Sequence, residues 1–156
     1  MMHNFNMKNY SDHIAIIGAG IAGLTLGIML KKNNIPNVIF ERSSDVSENG
    51  AGISISPNGK RVLEKLEILD ELQINSGNSE KSIFYWNLKE ITTINTNVLT
   101  TSRKCLHDAL LKKYIDLGGN IKFNSELKDI NTKQNQICLK NGEFFKVRHI
   151  AACDGI

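Results

Sequence analysis

The stretch "HIAIIGAGIAGLTL", residues 13–26, decides how the chain begins to fold. Its segment Ile14–Ile17 is rich in β-branched residues and carries no charge, which predicts a short buried strand. Three glycines follow in G-x-G-x-x-G spacing, at Gly18, Gly20 and Gly23. A lone pattern of this kind is weak, so its meaning depends on what surrounds it.

A strand–helix–strand unit surrounds the glycines. The helix is predicted to begin near Ile21 and to stop at Asn33-Asn34. The segment "NVIFER", residues 37–42, predicts a second buried strand that ends at Glu41. Because a helix connects the two strands, they should lie parallel in one sheet. The fold class is therefore α/β and Rossmann-like.

The segment from Gly18 to Gly23, called the glycine loop below, has the features of a phosphate-binding site. Gly18 permits a tight turn, Gly20 lets the backbone approach a pyrophosphate, and Gly23 lets the helix pack against the sheet. The helix N-terminus adds free N–H groups and a positive dipole end. The residues predicted to bind the cofactor here are Gly18, Ala19, Gly20, Ile21, Ala22 and Gly23.

Glu41 is placed to recognise the sugar of a dinucleotide. It lies 18 residues after Gly23, where a carboxylate can accept hydrogen bonds from an adenosine ribose. A carboxylate there disfavours a 2′-phosphate, so the site suits FAD or NAD better than NADP. The alternative is a glycine-rich turn in some other α/β fold.

Composition narrows the functional classes. With 41% hydrophobic and 22% charged residues, the chain is an ordinary globular domain. Its net charge of +3 is small and its lysines are scattered, which argues against a nucleic-acid partner. The apolar segment Ile14–Leu30 is slightly short for a bilayer span, so no stable membrane span is expected. Residues 1–12, which are mostly polar and lack a long apolar run, predict a disordered tail.

The three cysteines form no C-x-x-C pair and their number is odd, so we expect neither a disulfide framework nor a zinc site. Buried, reduced cysteines in a cytoplasmic protein are the simpler interpretation. His107 and His149 lack the partners of a catalytic triad or metal site, so no metal is expected. Phe84, Tyr85 and Trp86 are interpreted as sheet and core residues.

Beyond the first unit, the pattern predicts antiparallel strands with helices between them. Pro57 is well placed as the first residue of a helix, which continues through Val62, Leu66 and Leu69. A second amphipathic helix is predicted over residues 102–117. The remaining segments give strands in the ranges 51–56, 82–88, 90–100, 120–130, 136–140, 143–150 and, as a buried parallel strand, 149–156.

Four motifs, read in order, carry a family resemblance. They are "GAGIAGL" with "ER" at Glu41-Arg42, "GAGISISPNG" at 50–59, "SRKCLHDALL" at 102–111 and "CDGI" at 153–156. With these motifs the chain resembles, over residues 13–156, the N-terminal part of the FAD-dependent aromatic-ring monooxygenases. That group includes salicylate and para-hydroxybenzoate hydroxylases. The resemblance implies FAD as cofactor, NAD(P)H as co-substrate, and O2-dependent hydroxylation of a small, aromatic substrate.

The resemblance also implies four further cofactor-binding residues. Arg42 would face the phosphates, and Gly52 would let the backbone pass close to the flavin; a surface arginine and a bulge glycine are the alternatives. Arg103 would bind a flavin phosphate or ribityl oxygen, since the helix dipole does not favour a cation there; an ordinary exposed helix arginine is the alternative. Asp154 would be linked to the cofactor because a buried acid is costly when unpaired. No catalytic residue is nominated.

The chain departs from the family in its length. It stops inside the Asp-Gly motif, and the second flavin motif and most of the substrate-binding part are absent, so we expect an N-terminal portion that is inactive alone. Two alternatives stay open. One is a related flavoprotein of the geranylgeranyl reductase or halogenase type, and the other is a non-catalytic remnant.

Overall fold

The structure is a computed structural model that describes residues 8–45 and 52–155. Its elements are, in chain order, β1 (Lys8–Ile17), α1 (Ile21–Lys32), β2 (Asn37–Phe40), β3 (Gly52–Ile55), α2 (Pro57–Lys65), α3 (Leu69–Ile74), β4 (Gly77–Trp86), β5 (Lys89–Ser102), α4 (Arg103–Asp116), β6 (Ile121–Lys122), β7 (Leu127–Asn131), β8 (Gln136–Leu139) and β9 (Phe144–Ala152). They form two compact units, one within Met1–Ser47 and Leu110–Ile156 and the other within Glu48–Ala109.

The first unit is built on a six-stranded sheet in the order β6-β2-β1-β9-β8-β7. Strands β6, β2, β1 and β9 run parallel, and β8 and β7 continue the sheet antiparallel. The predicted parallel β1–α1–β2 unit is therefore confirmed. It registers Ile14 opposite Asn37 and Ile17 opposite Phe40, so both strands end at the same edge of the sheet.

Both faces of the central strands are covered, which explains their continuous apolar sequences. Ala15 and Ile17 lie in one cluster of buried residues with Phe40 and Phe145. Ile16, which alternates with them along β1, is also fully buried. All four residues of β2 are buried. The strand ends that carry the glycine loop and Glu41 are thus anchored in a packed core.

Strand β1 begins earlier than predicted. Residues 8–12 belong to it, whereas the sequence predicted a disordered tail through residue 12. The first three residues of β1 pair with Phe145–Val147 of β9, and the ring of Tyr10 lies 5.9 Å from that of Phe145. Backbone pairing with a distant strand leaves little local pattern to detect. Residues 1–7 of the predicted tail lie outside the described residues.

Strand β9 is one continuous strand where the sequence predicted two. It pairs antiparallel with β8 and parallel with β1. The prediction that its final segment is buried is wrong, because Ala152 and Asp154 are exposed. Among the described residues, β8 pairs with β9 only at Phe144–Lys146, so the later residues of β9 have β1 as their one strand partner.

Tyr114 of α4 joins several elements of the first unit. It is fully buried, and its hydroxyl donates a hydrogen bond of 2.9 Å to Asn37 Oδ1 and accepts one of 3.3 Å from the Asn120 N–H. A Cβ on Gly27 of α1 would lie 2.7 Å from the Tyr114 ring, so the helix packs closely on this side chain. Burial raises the pKa of Tyr114 to about 12, and the phenol stays neutral.

The second unit holds an antiparallel sheet in the order β3-β5-β4. The predicted antiparallel strands are confirmed, as is Pro57 at the first turn of α2, where Ser56 Oγ accepts a hydrogen bond from Gly59 N–H. The single predicted helix is two, because the chain turns at Glu67 with φ +60°. Val62 is correspondingly exposed, while Leu66 is fully buried.

The aromatic residues of β4 are in the sheet but not in the core. Phe84, Tyr85 and Trp86 are exposed by 51%, 59% and 71%, so their interpretation as core residues is wrong. They lie where β4 pairs only with β5 among the described strands. A two-stranded ribbon has no second layer of its own to cover such side chains.

Two further predictions concern membrane spans and the cysteines. No helix in the ranges 8–45 and 52–155 has the length and apolar character that crossing a bilayer requires. The three cysteines are free, as expected, but they are not buried: Cys105 is exposed, and Cys138 and Cys153 are half-buried.

Replacing Tyr114 tests its contribution to the stability of the first unit, where it joins several elements and is called the Tyr114 anchor below. Tyr114→Phe leaves the buried Asn37 side chain without its hydroxyl partner, so the free energy of unfolding should fall by about 1–3 kcal/mol. Urea unfolding followed by far-ultraviolet circular dichroism measures this. Tyr85→Phe, at an exposed position, is the matched control and should change stability by less than about 0.5 kcal/mol. Equal losses in the free energy of unfolding for Tyr114→Phe and Tyr85→Phe would contradict the role of Tyr114 as an anchor.

Candidate functional site

The site lies where the carboxyl ends of β2, β1 and β9 meet. Gly18 N–H donates to Phe40 O at 2.8 Å, and Cys153 N–H donates to Ile17 O at 2.8 Å. These two bonds extend the strand pairing by one residue and bring the glycine loop between the neighbouring strand ends. Open α/β sheets bind ligands at this edge.

Gly18 is a glycine because backbone from β9's end lies against it. Its φ is +100°, in the region that favours glycine. A Cβ at this position would lie 2.6 Å from Cys153 O and 3.1 Å from Asp154 Cα. The predicted tight turn at Gly18 is confirmed, and the "CDGI" motif lies directly beside it.

Gly20 and Gly23 serve different purposes. A Cβ on Gly23 would collide with Gly18 O, so this glycine allows the helix to start close to the loop. At Gly20, apart from this residue and its two neighbours in the chain, no atom of the described residues lies within 4 Å of the position a Cβ would take. Its φ of −73° and ψ of −176° suit any residue. The fold itself therefore does not require glycine at position 20, and the space above it is open.

The start of α1 presents backbone donors to that space. Leu24 N–H donates to Gly20 O at 3.0 Å, so the amides between these residues precede the first helical hydrogen bond. Within the described residues, no side chain caps the helix, and its first turn carries no acidic residue. An N-terminus of this kind favours a phosphate.

Glu41 follows β2 and turns toward the glycine loop. Its Oε2 accepts a hydrogen bond of 2.7 Å from Ala19 N–H, and its Oε1 accepts one of 2.9 Å from Ser43 N–H. Burial raises the pKa of Glu41, but these hydrogen bonds outweigh burial and hold it below its usual value. The carboxylate is therefore ionised at neutral pH, and the stability it contributes is lost only as the pH falls through this lowered pKa.

Arg42 and Asp154 are at the same edge of the sheet, and both are exposed. Arg42 directly follows Glu41, and Asp154 follows β9 beside Gly18. The argument that Asp154 is a costly buried acid is wrong, because the strand end is open to solvent. The roles of both side chains toward a cofactor stay predictions.

Gly52 lies opposite Ser102, the residue before Arg103, in the second unit. Gly52 pairs with Ser102 in a regular antiparallel register, so the alternative of a bulge glycine is wrong. Ser102 Oγ accepts a hydrogen bond of 3.0 Å from Cys105 N–H, and Arg103 is the first residue of α4, as predicted. Among the described residues, a Cβ on Gly52 would meet Thr101 O alone, at 3.7 Å, so packing against them does not explain this glycine.

The sequence did not predict which groups hold the loop in place. The donors are backbone N–H groups: those of Ala19 and Ser43 donate to Glu41, and that of Cys153 donates to Ile17 O. A backbone group leaves no mark in the residue type. In the described ranges, no group of three or more histidine, cysteine, aspartate or glutamate residues could hold a metal ion.

Comparison with known proteins identifies the family. The chain matches the FAD binding domain family over residues 12–156. The match covers nearly the whole chain, so the chain belongs to this FAD-binding domain family. The predicted fold class and the resemblance to flavin-dependent monooxygenases are confirmed.

Individual relatives agree with the family. Monooxygenase 1 of Arabidopsis thaliana is 34% identical over 158 residues, covering 91% of this chain and 38% of that protein. The 3-amino-4-hydroxybenzoate 2-monooxygenase of Streptomyces cremeus is 46% identical over 66 residues, covering 42% of this chain and 17% of that protein.

A solved structure shows the same fold. The tetrameric form of 2-methyl-3-hydroxypyridine-5-carboxylic acid oxygenase superposes with a TM-score of 0.84 and 31% identity, covering 93% of this chain and 40% of that one. The chain spans about two-fifths of the length of this protein and of the Arabidopsis relative.

Alanine substitutions can separate the role of Gly20 from that of Gly18. Gly20→Ala should keep the thermal stability of the parent but weaken FAD binding at least about tenfold, because the new methyl group occupies the open space above the loop. Gly18→Ala should instead destabilise the fold by about 1–3 kcal/mol or more through backbone strain and contact with Cys153. Thermal unfolding and flavin fluorescence titration measure the two effects. Unchanged FAD affinity in a folded Gly20→Ala protein would contradict this assignment.

Proposed function

We propose that this chain binds FAD at the glycine loop and forms the FAD-binding part of a flavin-dependent monooxygenase. The observation that carries the proposal is the open space above Gly20 at the uncapped start of α1, beside an ionised Glu41. Packing requires glycine at positions 18 and 23 but not at position 20. A ligand that approaches the backbone at position 20 would account for the glycine found there.

The residues of the loop fit the chemistry of FAD. The amides at the start of α1 would hold the pyrophosphate, and the Glu41 carboxylate would accept hydrogen bonds from the adenosine ribose. Arg42, Gly52, Arg103 and Asp154 are proposed as further cofactor contacts. FAD, when bound, supplies the redox chemistry, and the protein contributes placement and the exclusion of water. We assign no acid–base catalyst to this chain.

The proposed reaction uses NAD(P)H and O2 to hydroxylate a small aromatic substrate in the cytoplasm. Support comes from the names of the relatives, which include a monooxygenase of an aminohydroxybenzoate and an oxygenase of a hydroxypyridine carboxylic acid. We further propose that residues 1–156 alone bind FAD without completing the reaction. The chain spans only about two-fifths of the Arabidopsis relative and of the hydroxypyridine carboxylic acid oxygenase, which supports this.

Titration with FAD tests the proposal. The purified chain should bind FAD saturably, and Glu41→Ala should weaken binding about tenfold or more, as expected for the loss of hydrogen bonds to a charged group. Flavin absorbance and fluorescence follow the titration.

Asp116→Ala is the matched control, because it removes an exposed acid from the end of α4. The chain passes from there into the start of β6, at the opposite edge of the parallel strands. This variant should bind FAD like the parent. A well-folded parent chain that does not bind FAD would overturn the proposal.

A further inference from the structure

Glu41 has a second task that is visible without any ligand. Its two carboxylate oxygens hold two different loops: Oε2 accepts from Ala19 N–H after β1, and Oε1 accepts from Ser43 N–H after β2. Ala19 is fully buried, although it lies in a turn. The carboxylate therefore bridges the glycine loop to the segment that follows β2.

The backbone of Glu41 is itself fixed on both sides. Its N–H donates to Lys122 O at 2.9 Å, and its carbonyl accepts from Ser125 N–H at 2.7 Å. Since the main chain is tied to β6 and the segment after it, the side chain projects from a rigid position. The hydrogen bond that its Oε2 accepts from Ala19 N–H therefore ties the glycine loop to this fixed backbone.

We infer that Glu41 is a positioning residue that holds the glycine loop in its binding conformation, in addition to any contact with ribose. This inference rests on the proposed function, because it concerns the same site. It assigns Ala19 N–H to Glu41 and leaves the amides of Gly20, Ile21 and Ala22 for phosphate oxygens. A loop ordered before the ligand arrives costs less conformational entropy on binding.

The two oxygens make the residue type specific. Glutamine keeps one acceptor oxygen but places an NH2 group where the second N–H must donate, so it can satisfy only one loop. Aspartate lacks one methylene and falls short of Ala19 from the same backbone position. A carboxylate with the reach of glutamate is therefore required even before a ribose is considered.

A ligand without ribose hydroxyls separates the two tasks. We would compare FAD with an FAD analogue whose adenosine ribose lacks the 2′ and 3′ hydroxyls, against the parent, Glu41→Gln and Glu41→Ala. If Glu41 positions the loop, Glu41→Ala should bind the dideoxy analogue about tenfold more weakly than the parent does, and Glu41→Gln, which keeps one acceptor, should bind it with an affinity between those two. If Glu41 only accepts from ribose, the three proteins should bind the analogue equally, and the inference is overturned.

Amide hydrogen exchange gives a readout that needs no ligand. The Ala19 N–H should exchange slowly in the ligand-free parent and in Asp116→Ala, and at least tenfold faster in Glu41→Ala, which removes the acceptor and should preserve the overall fold. Circular dichroism verifies that fold. Equal exchange at Ala19 in the parent and Glu41→Ala would overturn the inference.

The two proposals fail in different ways. A parent chain that binds no FAD, yet shows Ala19 protection that depends on Glu41, removes the proposed function and keeps the positioning role. A parent that binds FAD, with variants that bind the dideoxy analogue as well as the parent does, keeps the function and removes the positioning role.

Discussion

The close approach of backbone at Gly18 is the constraint on which the rest of the site depends. The end of β9 can lie beside the first turn of the loop only because position 18 has no side chain and tolerates a φ of +100°. That contact brings three strand ends to one edge of the sheet. Gly23 then lets α1 start at once, so the helix dipole points into the space above Gly20.

Glu41 complements this backbone arrangement with charge. The positive N-terminus of α1 and the ionised Glu41 carboxylate lie beside the same loop. The Ala19 amide in that loop donates its hydrogen bond to the carboxylate. The N-terminal amides suit the acceptor oxygens of a phosphate, while the carboxylate suits hydroxyl donors. A molecule that carries a diphosphate next to a free ribose matches both, which is the adenosine half of FAD. The family to which the chain belongs agrees with this reading of the charges.

The sequence predicted the parts of the fold that are encoded locally. The glycine spacing, the apolar strands and Glu41 follow one another within about thirty residues, so the second half of β1, α1, β2 and the turn between β1 and α1 were predicted correctly. The sequence did not predict the contacts between distant segments. The backbone of Cys153 beside Gly18, the bond from Ala19 to Glu41 and the pairing of residues 8–10 with β9 involve main-chain groups that leave no residue pattern. The exposure of Trp86 and Asp154 likewise depends on which strands have neighbours.

The most direct test of the cradle is a map of backbone amide chemical shifts before and after FAD is added to the 15N-labelled chain. The account predicts the largest changes at Gly20, Ile21 and Ala22, in the open turn that begins α1. It also predicts that the Tyr114 anchor, in the core of the first unit, changes little. Saturable FAD binding with these three amides unchanged and the shifts concentrated elsewhere would contradict the account.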